Sequence, residues 1–169
     1  QNQFPFPTNG NDAAGYVRIA YNLIEHGVFS RESVSPYTLD SFRTPGYPIF
    51  IASILVIFKS LLAVSIFQIF LASFSVVLLY RIMVLYAEKW VSVSAALIFA
   101  LEPGGIFLSS VLLSEVLFTF LLLLSIYFLL RSDGSALKSG LILGLATLVR
   151  PIGFMLWPVF IVGIFFIYK

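Results

Sequence analysis

The stretch LLAVSIFQIFLASFSVVLLY, residues 61–80, decides how this chain is read, because none of its side chains is charged. At 1.5 Å of rise per residue a helix of that length reaches about 30 Å, the thickness of a bilayer's hydrocarbon core. The rest of the chain has the same character. Of 169 residues, 60% are hydrophobic and only 11% are charged, and the mean hydropathy is +1.02. Soluble domains are about a quarter charged, so an ordinary globule is excluded, and so is disorder. There is no Cys, which removes disulfides, thiol nucleophiles and zinc–thiolate sites, and with a single His a Ser–His–Asp triad or a His-rich metal site is out of reach. The balance of 10 basic against 8 acidic residues is far too small for nucleic acid. It suits charges flanking membrane spans.

Working outward, the chain divides near residue 46. Residues 1–46 are polar and carry Asp12, Arg18, Glu25, Arg31, Glu32, Asp40 and Arg43. Phe4-Pro5-Phe6-Pro7 reads as an extended entry, and Thr8-Asn9-Gly10-Asn11-Asp12 is dense in helix-capping residues. From Asp12 to His26, the residues Tyr16, Ile19, Ala20, Leu23 and Ile24 recur at helical spacing up to a stop at Gly27. This predicts a short amphipathic helix lying at a membrane surface. Residues 28–42 read as a loop, and Pro45-Gly46 as the centre of a type II turn.

Residues 47–169 form the expected membrane region. Tyr47–Phe58 is only twelve residues, so it is read as a juxtamembrane helix. The spans are expected at about 61–86, 91–109, 114–130, 137–149 and 152–168, with Arg150-Pro151 breaking the last two apart. The fold class expected is therefore all-α: a polytopic integral membrane protein. The start at Gln1 and the stop after the run Ile152–Tyr168 read as an internal piece of a longer protein. The loops holding Arg81 and Lys89 and then Arg131 and Lys138 share a side, and no Lys or Arg lies between Trp90 and Leu130. The positive-inside rule makes those loops cytoplasmic and residues 1–46, Glu102, Glu115 and Arg150 extracytoplasmic. Arg18, Arg31, Arg43 and Lys59 then lie on the outer side as well, against the trend.

Few residues are left to carry chemistry. Asp12, at a helix start, reads either as a cap or as a general base, and the two roles are compatible. Glu115, in Leu113-Ser114-Glu115 at the head of an apolar span, is a functional candidate or a first-turn partner of the helix dipole. Glu102, beside Pro103 and a Gly pair, reads as structural. Arg150 interrupts a nearly uncharged stretch, where a guanidinium suits a phosphate, and Arg43 is a second phosphate candidate. Two carboxylates and two guanidiniums facing one side suit a phosphate-bearing lipid whose headgroup reacts at the interface.

Several stretches carry a family resemblance. They are Asp12-Ala-Ala-Gly-Tyr16, Ala20-Tyr-Asn22-Leu23, Gly27-Val-Phe29-Ser30, Arg43-Thr-Pro-Gly-Tyr-Pro48, Leu113-Ser-Glu115-Val-Leu-Phe118 and Gly144-Leu-Ala-Thr-Leu-Val-Arg150-Pro151. Their order resembles the GT-C glycosyltransferases, in the branch of protein O-mannosyltransferases and lipid A aminoarabinose transferases. The resemblance implies a GT-C-like transmembrane helix bundle in the plasma membrane, with an extracytoplasmic first loop. It implies an inverting transferase that takes a hexosyl or pentosyl group from a polyprenyl-phosphate carrier. The acceptor would be a hydroxyl on a protein, lipid or glycan. Asp12 becomes the catalytic base, and Tyr16, Arg43, Glu115 and Arg150 the substrate-binding residues. Some relatives use a divalent cation, Mg or Mn, and no residue here is assigned to one. Ala13 departs from the Asp-Glu pair of the protein-mannosylating members. From the residues alone, a secondary transporter or a non-catalytic assembly subunit stays open.

Overall fold

The computed structural model describes residues 11–131 and 136–167. The expectations for Phe4–Pro7 and Thr8–Gly10, and for part of the loop after Arg131, lie outside the described residues. Everything regular among the described residues is helical. In chain order, α1 is Asn11–His26, α2 Gly46–Phe58, α3 Leu61–Met83, α4 Lys89–Ala100 and α5 Pro103–Ser110. Then come α6 Glu115–Leu129, α7 Ala136–Val149, a 3-10 helix over Pro151–Leu156, and α8 Trp157–Ile167.

The expectation of a polytopic bundle is corrected. Among the described residues only α3, at 23 residues, is long and apolar enough to cross a membrane, and the bent pair α4–α5 reaches that length only if taken as one span. The expected spans at 114–130, 137–149 and 152–168 are instead helices of 15, 14 and 11 residues, the last preceded by the 3-10 turn. The reason is local. Hydropathy counts apolar residues, whereas a span needs an unbroken backbone ladder. The expected span at 91–109 breaks where Glu102 caps α5: its carboxylate accepts from the Gly104 and Gly105 amides, and the axis bends by 51°. Pro151 stops α7 because proline cannot donate to the ladder and Arg150 before it is driven extended, at φ −142° and ψ 129°. The type II turn at Pro45-Gly46 is also corrected. Pro45 is helical, at φ −76° and ψ −20°, and leads straight into α2.

Packing follows from the apolar faces. α1 buries Ala13, Val17 and Ala20 against Tyr47, Ile51, Ile54 and Leu55 of α2, and the cluster continues into Leu61 and Val64 of α3. The apolar face expected at a membrane surface is thus turned onto α2, although Ile24 is left exposed. α3 packs on α6, and α6 on α7. Ser125 and Ser139 make reciprocal hydroxyl-to-carbonyl bonds at 2.8 and 2.9 Å across that last contact, where small side chains let the helices approach. α3 presents Leu62, Phe67, Phe70 and Phe74 outward.

One polar residue within the apolar stretch 61–80 organises this core. Gln68 is fully buried. Its Oε1 accepts from the Tyr47 hydroxyl at 3.1 Å, and its Nε2 donates to the Val111 and Leu113 carbonyls, each at 3.2 Å. A buried amide with its partners satisfied specifies one arrangement. Gln68 thereby ties α2 and α3 to the linker that delivers Glu115. Replacing Gln68 by Leu strands the Tyr47 hydroxyl and the Leu113 carbonyl and leaves the Val111 carbonyl with the Leu113 amide, at roughly 1–3 kcal/mol for each group left unpaired. We expect a lowered thermal midpoint for Gln68→Leu in detergent and faster proteolysis at 111–114. An unchanged midpoint would show that the linker holds its place without this amide.

Candidate functional site

Asp12, Tyr16, Arg43, Glu115 and Arg150 line one cleft of about 290 Å³, together with Phe42, Thr44, Leu113, Ser114, Val149 and Pro151. They come from α1, from the loop before α2, from the start of α6 and from the end of α7. Two backbone contacts bring these pieces together. The Thr44 hydroxyl donates to the Val149 carbonyl at 2.7 Å, across 105 residues of sequence. Gly46 lies so close to α7 that a Cβ there would fall 2.7 Å from the carbonyl carbon and oxygen of Leu148. No side chain can give way at such a contact, so only glycine lets the start of α2 dock on the end of α7.

Each acid in the cleft is paired with a guanidinium. Arg43 Nη2 donates to Asp12 Oδ1 at 2.6 Å, and Arg150 Nη1 lies 2.6 Å from Glu115 Oε1. The two pairs differ in access. Arg43 is nearly enclosed, with 3% of its side chain exposed, whereas Arg150 and Glu115 are about one-third open, at 36% and 34%. The Arg43 guanidinium lies over the Tyr16 ring, 5.2 Å from its centroid, and Tyr16 meets Tyr47 edge-on at 5.0 Å. Gly15 makes the slot: a Cβ there would be 2.7 Å from Arg43 Cζ. Asp12 itself is largely exposed and sits in the first turn of α1, where the helix dipole favours a negative charge. Glu115 Oε2 is buried with no hydrogen-bond partner among the described residues.

Asp40 was not singled out from sequence, yet it is one of the most enclosed acids here. Its Oδ1 accepts the backbone amides of Phe42 and Arg43 at 2.8 and 3.0 Å. Its Oδ2 faces the guanidiniums of Arg31 and Arg43. The only sequence signal was the Asx-turn pattern of an Asp two and three residues before the amides it accepts. Asn22 was likewise quoted only within a motif. Its amide donates to the Ser30 and Glu32 carbonyls and pins the loop to α1.

Among the described residues, no group of three or more His, Asp or Glu is placed to hold a metal ion. Asp12 and Glu115 each give one oxygen to a guanidinium. Comparison with known proteins gives no matching family model and no similar curated protein or solved structure.

Burial pushes the Asp40 carboxyl up, but the Arg43 and Phe42 amides and the two guanidiniums outweigh it, and its pKa is lowered. A lowered folded-state pKa means that the stabilisation is complete above the ordinary carboxylate range, near about 3.9. It is lost as pH falls through that range toward the folded-state value. We expect the thermal midpoint to hold between neutral pH and the top of that range and to drop on further acidification. Asp40→Asn should lower the midpoint at pH 7, by roughly 1–3 kcal/mol of stability, and should flatten the acid-side fall. The same acid-side slope in Asp40→Asn and wild type would place the titrating group elsewhere.

Proposed function

We propose that this chain carries the site of a membrane glycosyltransferase, one that moves a sugar from a polyprenyl-phosphate carrier to an acceptor hydroxyl on a protein, lipid or glycan. The observation that carries this reading is the cleft itself. Asp12 and Arg150, far apart in sequence, line one small polar cavity beside an apolar bundle, one acid exposed and one guanidinium accessible. Membrane placement is supported by the length of α3 and by the large side chains it turns outward. The extracytoplasmic face of the plasma membrane is the side we assign to the cleft. In support, Arg81 and Arg131 line a separate cleft at the far ends of α3 and α6.

The reaction is a single displacement at the anomeric carbon. The acceptor oxygen forms a bond to that carbon as its proton passes to the Asp12 carboxylate. The bond from the anomeric carbon to the phosphate oxygen breaks, and the electron pair leaves with the lipid phosphate, so the configuration inverts. Arg150 takes the developing phosphate charge, exchanging Glu115 for a planar two-point grip. The buried Glu115 Oε2 is then an acceptor for a sugar hydroxyl. Arg43, enclosed against Tyr16, orients Asp12 through its Nη2.

The test is turnover of a polyprenyl-phosphate sugar by the full chain in detergent. Asp12→Asn keeps the size and an oxygen for Arg43 Nη2, but takes no proton at neutral pH. Loss of a general base costs about 10²–10⁴ in rate, with donor binding retained. Wild-type turnover in Asp12→Asn would overturn the reading. Arg150→Lys should weaken donor binding roughly tenfold, the equivalent of one charge-assisted hydrogen bond, because Lys offers no planar fork. Unaltered donor binding in a folded Arg150→Lys protein would move the phosphate away from Arg150.

A further inference from the structure

Residues 27–45 run between α1 and α2 without a helix. Loops of that length are uncommon in compact structures unless they carry a function or are disordered. This one is pinned along its course. The Asp40 amide donates to the Phe29 carbonyl at 2.8 Å, and the Glu32 amide donates to the Ser30 hydroxyl at 3.2 Å. Glu32 Oε2 accepts the Thr38 amide at 3.3 Å, and its Oε1 accepts the Thr38 hydroxyl. Arg31 Nε meets Asp40 Oδ2. These contacts frame a second cleft, of about 350 Å³, walled by Arg31, Glu32, Thr38 and Ser41 and, on its apolar side, by Leu39 and Phe42. Phe42 also lines the cleft of Asp12 and Arg150, so the two clefts are neighbours across one ring. That ring is 81% exposed, while its backbone amide is fixed on Asp40 Oδ1 at 2.8 Å. The loop therefore holds a large apolar surface in water on a fixed backbone. Beside it, the Ser41 hydroxyl is exposed and has no hydrogen-bond partner among the described residues.

We propose that this second cleft binds a sugar ring of the acceptor, which makes the acceptor a carbohydrate. The lining fits that chemistry. A sugar presents an edge of hydroxyls, each both donor and acceptor, and a face of C–H groups that is apolar. The cleft offers guanidinium donors on Arg31, a carboxylate on Glu32 and hydroxyls on Thr38 and Ser41, all beside the Phe42 ring. Sites for small molecules combine apolar contact with a few placed polar groups in this way. An acyl chain does not fit, because charged and hydroxyl side chains make up most of the wall. A free phosphate does not fit either, because Glu32 and Asp40 present carboxylates to it. A glycan seated here reaches past Phe42 into the cleft that Asp12 lines, where its terminal hydroxyl meets the base. The acceptor role rests on the transferase reading above, whereas the occupancy of the cleft by a sugar does not.

The experiment is saturation-transfer NMR on the full chain, without donor, in a detergent that has no sugar headgroup. The probes are neutral disaccharides of glucose, galactose and mannose. At least one should receive saturation from the protein. Phe42→Ser should weaken its binding about tenfold, the value of one buried aromatic side chain. Ser41→Ala should weaken it about fivefold, the value of one hydrogen bond. Both side chains are exposed, so both variants keep the fold. Val34, 71% exposed in the same loop, lines neither cleft, and Val34→Ser should bind as wild type does. Absence of transfer to every disaccharide overturns the proposal, as does equal binding by Phe42→Ser and wild type. A loss in Val34→Ser as large as in Phe42→Ser also overturns it, because it marks a general apolar patch. Asp12→Asn, run in this assay and in the turnover assay, separates the two failures. It should bind the disaccharide normally and transfer no sugar. Wild-type turnover in that variant sinks the transferase reading, and the acceptor role with it. Lost turnover there, with no disaccharide bound by any form of the protein, sinks the sugar site alone.

Discussion

The close approach of Gly46 to the carboxyl end of α7 is the constraint on which the rest depends. At that point backbone meets backbone, and the Thr44 hydroxyl closes the joint on the Val149 carbonyl. Any side chain at position 46 would wedge α2 off α7. The residues on either side of the joint then have little choice. Arg43 precedes it on one strand of chain, and Arg150 follows it on the other. The cleft is the space left between them, and α1 and the start of α6 supply its acids.

A second constraint sits deeper. Gln68 binds three groups from two segments, α2 and the linker before α6, and it does so in surroundings where an unpaired amide would be expensive. Its bonds to Val111 and Leu113 hold the turn before α6, so the position of Glu115 is set from α3 rather than by the local chain. The two anchors explain how a bundle of mostly short helices keeps a polar cleft at one end. Glycine permits contact at one edge, and a buried amide enforces it at the other.

The cleft divides labour by exposure. The Asp12–Arg43 pair is enclosed on its cationic side and open on its anionic side, while the Glu115–Arg150 pair is open on both. An ion pair that remains reachable by water can exchange partners, whereas an enclosed one holds its geometry. This difference underlies the proposal that Arg150 meets an incoming phosphate while Arg43 holds Asp12 in place.

Much of the helical content was legible along the chain, because its causes are local. Gly27, at φ 67°, ends α1, and Pro151 ends α7. The apolar runs between such breakers mark where α2, α3, α6 and α7 lie. Glu115 and Arg150 stood out because charge is rare in the apolar part of the chain, Asp12 because it heads a helix and Arg43 because it precedes the Pro-Gly pair. Hydropathy misled on spans. It registers composition, while the capping carboxylate of Glu102 and the extended backbone at Arg150 act on hydrogen-bond geometry, which composition does not record. The roles of Gln68, Asp40, Gly15 and Gly46 belong to the tertiary structure alone. A glutamine in an apolar run, an aspartate in a loop and a glycine in a helix are common in any sequence. What makes them decisive is the atom that lies opposite, and that is set by contacts between segments up to 105 residues apart.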